Sequence, residues 1–355
     1  MSDTTTAPDL VAPSDQPSGK TGPTLPERPL MELLDVSKEF QVRSDGKPAK
    51  LSAVNRVSLR VMEGQTLGIV GESGCGKSTL ARVIVGLHPA TSGEMLFDNQ
   101  QIPTRGRRPR EVVEQMQMVF QDPSSALNPR ATIGESIAFP LQVQKKSKKE
   151  IAARVKQVIA DVGLPANYAD NYPHQLSGGQ RQRVNIARAL ALQPKLVVLD
   201  EAVSALDKSI QAQVLNLLTD LQQEYGLTYV FISHDLNVVE YISDEVAVMY
   251  LGQVMERASA DQLYEKPLHP YTQLLLSSIP SLDPAESTRD TPLEQNEGEI
   301  PSPINPPSGC RFRTRCPHAM AICAREVPRL ADQGDDHVVA CHLYPGSSSE
   351  DAEAA

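Results

Sequence analysis

The sequence contains no tryptophan, and aromatic residues make up only 4% of its 355 residues. It also lacks any run of about 18 apolar residues, which excludes a helix long enough to span a bilayer. Basic residues are in the minority: 34 Lys and Arg against 44 Asp and Glu leave a net charge of −10, which disfavours nucleic acid as the main partner. The N-terminus has no charged-then-apolar signal pattern, so we expect the chain to stay in the cytosol.

Large apolar side chains are scarce at both ends of the chain. Residues 1–29 are rich in Pro, Ser, Thr and Gly, and residues 346–355 are mostly Ser, Ala and Glu. Such stretches cannot bury enough apolar surface to offset the entropy of ordering, so we predict that both are disordered. Between them, strand-like apolar patterns, as at 30–36 and 54–61, alternate with helical patterns, which indicates an α/β fold. Residues 122–193 are predicted to form a helical insertion between strands of this core.

The most informative stretch is rich in glycine and follows a predicted buried strand. It reads Gly71, Glu72, Ser73, Gly74, Cys75, Gly76, Lys77, Ser78 and Thr79. The pattern fits G-x-x-x-x-G-K-[ST], whose glycines let successive backbone N–H groups face a phosphate at the start of a helix. Lys77 is expected to reach the β- and γ-phosphates of a nucleotide, and the Ser78 hydroxyl to ligate Mg²⁺.

A second predicted helix begins with a feature that also suits an anion. Its first residues are Ser177, Gly178, Gly179 and Gln180. Serine is a favoured N-cap, and the glycine pair leaves backbone N–H groups accessible. Alone, this is an ordinary capped helix, but beside the first loop it predicts a second anion-binding helix end. Ser147 and Glu150 have capping-box spacing at the start of another helix.

Two further predicted strands end in polar side chains. An apolar run leads into Asp200 and Glu201, and a later strand ends just before His234. Ligands collect at the carboxyl ends of parallel strands, so Asp200 is expected to hold Mg²⁺, directly or through water, and Glu201 to orient or deprotonate an attacking water. A lone histidine is more often structural, but this position favours contact with the γ-phosphate. Phe40 is either an edge core residue or an aromatic that stacks on adenine.

These motifs occur in an order that resembles the ATP-binding subunit of ABC transporters over roughly residues 30–345. The motifs are GESGCGKST, Gln121, LSGGQ, LVVLDE, SALD and His234. More narrowly, FQDPSSALNPR, YPHQLSGGQRQR, HPYTQLLL and SPINPPSGCRFRTRCPHA resemble the ATPases of bacterial peptide importers, above all the F-type subunit of dipeptide and oligopeptide permeases.

The resemblance implies a domain organisation. Residues 30–265 would form a P-loop (RecA-like) ABC nucleotide-binding domain with an antiparallel β subdomain and a helical subdomain at about 122–193. Residues 266–345 would form a peptide-importer-type C-terminal region with a small Cys-rich extension.

The resemblance also implies roles for single residues. Phe40 would stack on adenine, residues 71–79 would bind the phosphates, and Gln121 would join Ser78 and Asp200 around Mg²⁺. Lys77, Gln121, Glu201 and His234 would be catalytic. Residues 177–180 would complete the ATP site of a second subunit, and Asp207 would communicate across that interface. One departure is Ala202, which stands where the family usually has proline.

The implied function is ATP hydrolysis coupled to the uptake of di- and oligopeptides. The implied partners are a D-type ATPase subunit paired head to tail, two integral-membrane permeases and, indirectly, a solute-binding protein. The chain would then lie peripherally on the cytoplasmic face of the inner membrane. The alternative is a soluble ABC-type ATPase acting on nucleic acid or ribosomes, which the single LSGGQ and the lack of sustained heptads disfavour.

The cysteines outside the phosphate loop form a separate pattern. Cys310, Cys316, Cys323 and Cys341 have the spacing C-x5-C-x6-C-x17-C. Structural disulfides are disfavoured in the cytosol, whereas four thiolates can bind Zn²⁺ or an iron–sulfur cluster. The C-x2-C spacing usual for zinc is absent, and the bland alternative is four independent core cysteines. The family resemblance implies a [4Fe–4S] cluster.

Overall fold

The structure is a computed structural model that describes residues 28–44, 46–279 and 301–348. Of the two predicted disordered ends, residues 1–27 and 349–355 lie outside the described residues.

The described strands belong to two sheets. They are β1 (Pro29–Ser44), β2 (Lys47–Met62), β3 (Thr66–Val70), β4 (Ser92–Phe97), β5 (Gln100–Gln101), β6 (Met116–Val119), β7 (Leu196–Asp200), β8 (Thr228–Ile232), β9 (Glu245–Tyr250), β10 (Gln253–Ser259), β11 (Ala331–Asp332) and β12 (Val338–Val339). The smaller sheet has the order β2-β1-β4-β5 and is antiparallel. The larger has the order β11-β12-β10-β9-β3-β8-β7-β6.

The helices lie between and after these strands. They are α1 (Lys77–Ile84), α2 (Arg110–Gln115), α3 (Ile133–Val143), α4 (Lys148–Asp161), α5 (Gly178–Leu190), α6 (Lys208–Tyr225), α7 (Leu236–Ile242), α8 (Ala260–Glu265), α9 (Pro270–Ser277) and α10 (Ala321–Arg325). No helix in the described part of the chain is long and apolar enough to cross a membrane.

The centre of the larger sheet is parallel. Strands β9, β3, β8, β7 and β6 are neighbours in that order and run in one direction, so their carboxyl ends share one edge. Every residue of β3, β7 and β8 is buried, as expected for parallel strands covered on both faces. This arrangement confirms the predicted α/β fold and places the ends of three motif-bearing strands side by side.

Two hydrophobic clusters cover the two faces of that sheet. In β8, Tyr229 and Phe231 join one cluster, while Val230 and Ile232 join the other. The first cluster contains residues of α3 to α6, and the second contains residues of α1 and the antiparallel sheet. Alternate residues of a strand point to opposite faces, so the helical insertion and the antiparallel sheet lie on opposite sides of the central sheet.

Between β6 and β7, where the sequence predicts a helical insertion, the chain forms α3, α4 and α5. The capping box predicted at the start of α4 is confirmed, because the Glu150 N–H donates to Ser147 Oγ at 3.3 Å and the Ser147 N–H donates to Glu150 Oε2 at 2.8 Å. The same arrangement at Thr132 and Glu135 begins α3. Such caps satisfy N–H groups that have no partner inside the helix and fix where each helix starts.

The C-terminal region is joined to the central sheet. Strand β12 pairs with β10, where Glu256 lies opposite Val339, and this pairing extends the sheet edge. The fully buried carboxylate of Glu256 accepts hydrogen bonds from the N–H groups of Leu268 at 2.7 Å and His269 at 2.8 Å, and lies 2.7 Å from His337 Nε2. The buried carboxylate of Glu256 therefore fixes the segment before α9 and the segment before β12 to strand β10.

The prediction of a [4Fe–4S] cluster, or of Zn²⁺, at Cys310, Cys316, Cys323 and Cys341 is wrong. The described residues include these four, and among them no group of three or more His, Cys, Asp or Glu side chains could hold a metal ion. Cys310 and Cys323 instead belong to the larger hydrophobic cluster, and the Cys310 N–H donates to the Cys323 carbonyl at 2.8 Å. Burial raises the pKa of Cys310 to about 12 and that of Cys341 to about 11.

Candidate functional site

The glycine-rich loop connects the end of β3 to the start of α1, at the centre of the parallel sheet. Gly71 has φ 148°, and a Cβ there would lie 2.1 Å from the Met249 carbonyl oxygen. Gly76 has φ 110°, and a Cβ there would lie 2.1 Å from the Ala53 carbonyl oxygen. Both positions exclude a side chain, so the loop is fitted closely to β9 and β2.

Lys77 begins α1 and its side chain is buried under the loop. Its Nζ donates to the carbonyl oxygens of Gly71 at 2.7 Å and Glu72 at 3.1 Å. The exposed fraction of the residue is only 5%. A buried ammonium group at a helix N-terminus makes this loop a site of concentrated positive charge, suited to a phosphate.

Ser78 and Asp200 meet at the ends of neighbouring elements. Ser78 Oγ donates to Asp200 Oδ1 at 2.8 Å. Asp200 is almost fully buried, and this burial raises the pKa of its carboxyl above the ordinary value. A hydroxyl and a carboxylate oxygen are ligands that Mg²⁺ favours, and a cation beside them would offset the cost of a buried negative charge. The pair therefore fits the predicted Mg²⁺ site.

The carboxylate of Glu201 lies close to two other predicted site residues, Gln121 and His234. Its Oε2 accepts a hydrogen bond from Gln121 Nε2 at 2.7 Å and lies 3.5 Å from His234 Nδ1. The Glu201 N–H donates to the Ile232 carbonyl at 2.9 Å, and the residue has φ 48°. Left-handed backbone at a non-glycine residue is uncommon and is often found at functional sites. The structure thus places Gln121 against the carboxylate of Glu201.

A cavity of about 780 Å³ lies over these groups, which is within the range of small-ligand sites. We call it the phosphate cavity. It is lined by Phe40, Leu51, Ala53, Ser73, Gly74, Gly76, Lys77, Ser78, Thr79, Gln121, Glu201, His234 and Pro303. Four predicted residues of the loop and of β7 are not part of this lining: Gly71, Glu72, Cys75 and Asp200.

The ring of Phe40 lies at the rim formed by the antiparallel sheet. It contacts the His88 ring edge-on at 5.5 Å, and Lys38 Nζ lies 4.8 Å from its centroid. Phe40 therefore brings an aromatic ring to the lining of the phosphate cavity, and an aromatic ring is the kind of group on which a base stacks.

The remaining predicted residues lie elsewhere, and we call Ser177–Gln180 together with Asp207 the signature patch. None of these residues lines the phosphate cavity. Ser177 Oγ accepts from the Gln180 N–H at 3.3 Å, and Asp207 Oδ1 accepts from the Ile210 N–H at 3.0 Å, so each caps a helix. The two caps are adjacent, because a Cβ on Gly179 would lie 2.4 Å from Ile210 Cγ2.

Comparison with known proteins finds similarity in two parts of the chain, one that contains the phosphate loop and one that begins in β10. The family model described as ABC transporter matches residues 54–204, and the one described as oligopeptide/dipeptide transporter, C-terminal region, matches residues 255–323. The oligopeptide transport ATP-binding protein AppF of Bacillus subtilis is 49% identical over 89% of this chain and 97% of its own length. The oligopeptide transport ATP-binding protein OppF of Escherichia coli is 51% identical over 88% of this chain and 95% of its own length. The chain belongs to the ABC transporter ATP-binding family.

Solved ABC structures share this fold. CbiO1 of Clostridium perfringens, part of the ABC transporter complex cbiONQ, is 29% identical with a TM-score of 0.58, and covers 68% of this chain and 92% of its own. The ATP-binding cassette MJ0796, solved as a dimer in a post-hydrolysis state with ADP and Pi, is 31% identical with a TM-score of 0.57, and covers 65% of this chain and 98% of its own. These matches confirm the predicted ABC nucleotide-binding fold. The chain is an ABC-type ATPase subunit.

Sequence reasoning missed three residues of the C-terminal region that touch the phosphate loop or the cavity of this ABC cassette, as well as Leu51 and Ala53 of β2, which line the cavity. Arg315 and Tyr271 contact Glu72, and Pro303 lines the phosphate cavity. All three come from the region after the cassette. The segments that contain them resemble a known family, but nothing local in them indicates a nucleotide.

Proposed function

We propose that this ABC cassette is the ATP-hydrolysing subunit of a bacterial importer of oligopeptides. The observation that carries the proposal is the extent of the similarity. The relatives named as oligopeptide transport ATP-binding proteins are matched over 97% and 95% of their lengths, so the similarity includes the C-terminal region as well as the cassette. A cassette that acts on nucleic acid or ribosomes would not need that region, and the comparisons do not favour this alternative.

In this proposal the phosphate cavity binds ATP. Phe40 stacks on adenine, and the loop at 71–79 binds the phosphates through its N–H groups and Lys77. Ser78 and Asp200 hold Mg²⁺, which supplies positive charge to the phosphate oxygens. Their contact at 2.8 Å supports this pairing.

Glu201 is proposed as the general base of hydrolysis. A carboxylate at this place accepts a proton from water that lies between it and the γ-phosphate. Gln121, which donates to Glu201 at 2.7 Å, keeps the carboxylate oriented, and Gln121 is also a candidate Mg²⁺ ligand when ATP is bound. His234, 3.5 Å from the same carboxylate oxygen, is proposed to contact the γ-phosphate.

The signature patch is proposed to act on a second subunit. Its residues do not line the phosphate cavity of their own chain, and Ser177 and Asp207 are exposed. The similar cassette MJ0796 was solved as a dimer with hydrolysis products. Head-to-tail pairing, with a D-type paralogue as the second subunit, would place residues 177–180 against the partner's ATP and Asp207 at the interface.

The remaining partners follow from the importer assignment. We propose two integral-membrane permeases and, through them, a solute-binding protein, with this chain lying peripherally on the cytoplasmic face of the inner membrane. Residues 30–265 would be the motor domain, the helical subdomain at about 122–193 would contact a permease loop, and residues 266–345 would be the importer-specific region. Gln121 begins the segment that leads into this subdomain, so loss of the γ-phosphate can move it.

Affinity purification of the full chain from detergent-solubilised membranes tests the assignment. We expect two multi-span permeases and a second, related ATPase to co-purify in equal amounts. Recovery of ribosomes or nucleic acid in place of membrane proteins would contradict the importer and favour the alternative. A Lys77→Ala chain is the matched control, because it should assemble normally while losing ATP binding.

A further inference from the structure

The second residue of the phosphate loop is held by the C-terminal region. The guanidinium of Arg315 donates two hydrogen bonds to the carboxylate of Glu72, Nη1 to Oε2 at 2.8 Å and Nη2 to Oε1 at 2.9 Å. Both side chains are largely buried, with 11% and 20% exposed. Paired, parallel hydrogen bonds of this kind fix orientation as well as distance.

A second contact reaches the backbone of the same residue. The Glu72 N–H donates to the Tyr271 hydroxyl at 2.9 Å. Tyr271 is fully buried, and its ring packs against Tyr250 at 4.6 Å and Phe312 at 5.3 Å between centroids. Glu72 is therefore held at its side chain and at its main chain by two different parts of the C-terminal region.

These holding residues have a rigid support. Tyr271 lies in the first turn of α9, where its own N–H donates to His269 Nδ1 at 2.9 Å. The N–H of His269 donates in turn to the buried carboxylate of Glu256 on β10. Arg315 lies with its guanidinium carbon 5.8 Å from the ring centroids of Tyr250 and Phe312, which restricts its side chain. Packing and hydrogen bonds to Tyr250, Glu256 and Phe312 therefore fix both holding residues against the core of the fold.

Glu72 also carries a carbonyl that holds Lys77. To meet a phosphate, Lys77 Nζ must exchange its carbonyl contacts for phosphate oxygens, so the orientation of the Glu72 peptide affects how ready the loop is to bind. We propose that Arg315 and Tyr271 are positioning residues that set the conformation of the phosphate loop through Glu72. The proposal rests on the assignment of residues 71–79 to the phosphates. It gives the C-terminal region a role at the ATP site as well as in importer assembly.

The test measures binding of N-methylanthraniloyl-ATP with Mg²⁺ to the full-length chain, together with thermal unfolding without nucleotide. Arg315→Lys keeps the charge but loses the paired geometry, and we expect its Kd to rise about tenfold. Tyr271→Phe leaves the Glu72 N–H without its partner, and a rise of about threefold is expected. Arg313→Lys is the matched control, because Arg313 is only partly buried and its guanidinium donates hydrogen bonds to Ser308, away from Glu72. Both conservative variants retain the ring packing, so the unfolding temperature should shift by no more than about 2–4 °C.

A double-variant cycle shows whether the effect passes through Glu72. Glu72→Gln and Arg315→Lys together should raise Kd no more than Arg315→Lys alone, because contacting residues are not additive. Unchanged Kd in Arg315→Lys and Tyr271→Phe, or full additivity with Glu72→Gln, would overturn the proposal and leave a purely structural ion pair. Lys77→Ala distinguishes failure of the proposed phosphate site from failure of the positioning role. If the Lys77→Ala chain binds the analogue like wild type, the proposed phosphate site itself is wrong. If it loses binding while Arg315→Lys does not, only this inference fails.

Discussion

The phosphate cavity and the signature patch carry equally clear motifs, but they are built differently. At the cavity, the carbonyls of Met249 and Ala53 fill the space that side chains on Gly71 and Gly76 would need, and Lys77 is buried. The signature patch is a pair of adjacent helix caps whose leading side chains are exposed and bonded to their own helices. The lining of the cavity thus comes from one chain and is fixed by its core, whereas the leading side chains of the patch face outward.

This difference allows the two proposed halves of a shared ATP site to be tested separately. Groups that bind ligand within the chain are locked by the surrounding core. Groups that act on another subunit need only a correctly started helix at the surface, since the second subunit supplies the rest. Variants on the two sides should therefore affect different measurements, and the following predictions run from the largest expected effect to the smallest.

The largest effect is expected for Glu201→Gln. The amide cannot accept a proton from water, so ATP turnover of the assembled transporter should fall by about 10²–10⁴-fold, while ATP binding is retained. Steady-state hydrolysis and equilibrium binding of an ATP analogue measure the two quantities. Glu63→Gln serves as a control, because Glu63 pairs with Arg28 at the surface. Wild-type turnover in Glu201→Gln would remove this carboxylate from the role of base.

On the cavity side, Ser78→Ala should weaken Mg²⁺-dependent ATP binding by the isolated chain about tenfold or more. It removes a proposed Mg²⁺ ligand and leaves the buried Asp200 carboxylate without its hydroxyl partner. Binding titrations with and without Mg²⁺ measure the loss. If Mg²⁺ strengthens ATP binding by the Ser78→Ala chain as much as by wild type, Ser78 has no part in holding the ion.

The matched change on the patch side is Ser177→Ala. Loss of this N-cap should destabilise α5 by about 1 kcal/mol but leave ATP binding by the isolated chain unchanged. Turnover of the assembled transporter should fall several-fold. Analogue binding to the isolated chain and hydrolysis by the complex are compared directly with Ser78→Ala. Weaker binding by the isolated Ser177→Ala chain would erase the distinction between cavity and patch.

The smallest effect is expected for Asp200→Asn in the nucleotide-free chain. Burial raises the pKa of Asp200 in the folded state, so the folded chain binds more protons than the unfolded chain just above the ordinary carboxyl pKa. Its contribution to stability therefore falls as the pH rises through that window. The amide avoids this loss, and the unfolding temperature at neutral pH should rise by no more than about 4 °C.

The control variant for that measurement should change the stability of the chain in the opposite direction. A hydrogen bond from Lys195 lowers the pKa of Asp98, so Asp98→Asn should slightly destabilise the chain at neutral pH. Thermal unfolding across about pH 4 to 7 compares both variants with wild type. A less stable Asp200→Asn chain at neutral pH would show that the ionised carboxylate is already stabilised without a cation.

Much of the phosphate cavity could be predicted from sequence because its parts are local. The loop and the polar residues after β7 and β8 each follow a short apolar strand, and parallel strands bring their carboxyl ends to one edge. Strand lengths were less predictable. The apolar patterns at 30–36 and 54–61 indicated short strands, but β1 and β2 continue as Pro29–Ser44 and Lys47–Met62 because their exposed polar residues still pair through the backbone.

The contacts of the C-terminal region could not be predicted in the same way. Arg315 and Glu72 are separated by 243 positions, and an arginine in a polar segment carries no signal of its partner. The metal site predicted at the cysteines is wrong for a related reason, since spacing along the chain does not determine whether thiols form a metal site. Cys310 and Cys323 belong to the larger hydrophobic cluster, and Cys316 packs against it.

The strand order has a consequence for how this protein is made. Strand β3 lies between β9 and β8. Glu72, in the loop that follows β3, forms its ion pair with Arg315, which comes 243 positions later in the chain. At about 5–20 residues per second, a ribosome needs roughly 12–50 s to synthesise that interval. For the first part of this time the nascent chain displays a complete nucleotide motif without the neighbouring strands β8 and β9, and for all of it without Arg315. Competence to bind ATP is therefore acquired late, and a prematurely terminated product would carry the motif without the machinery that shapes it.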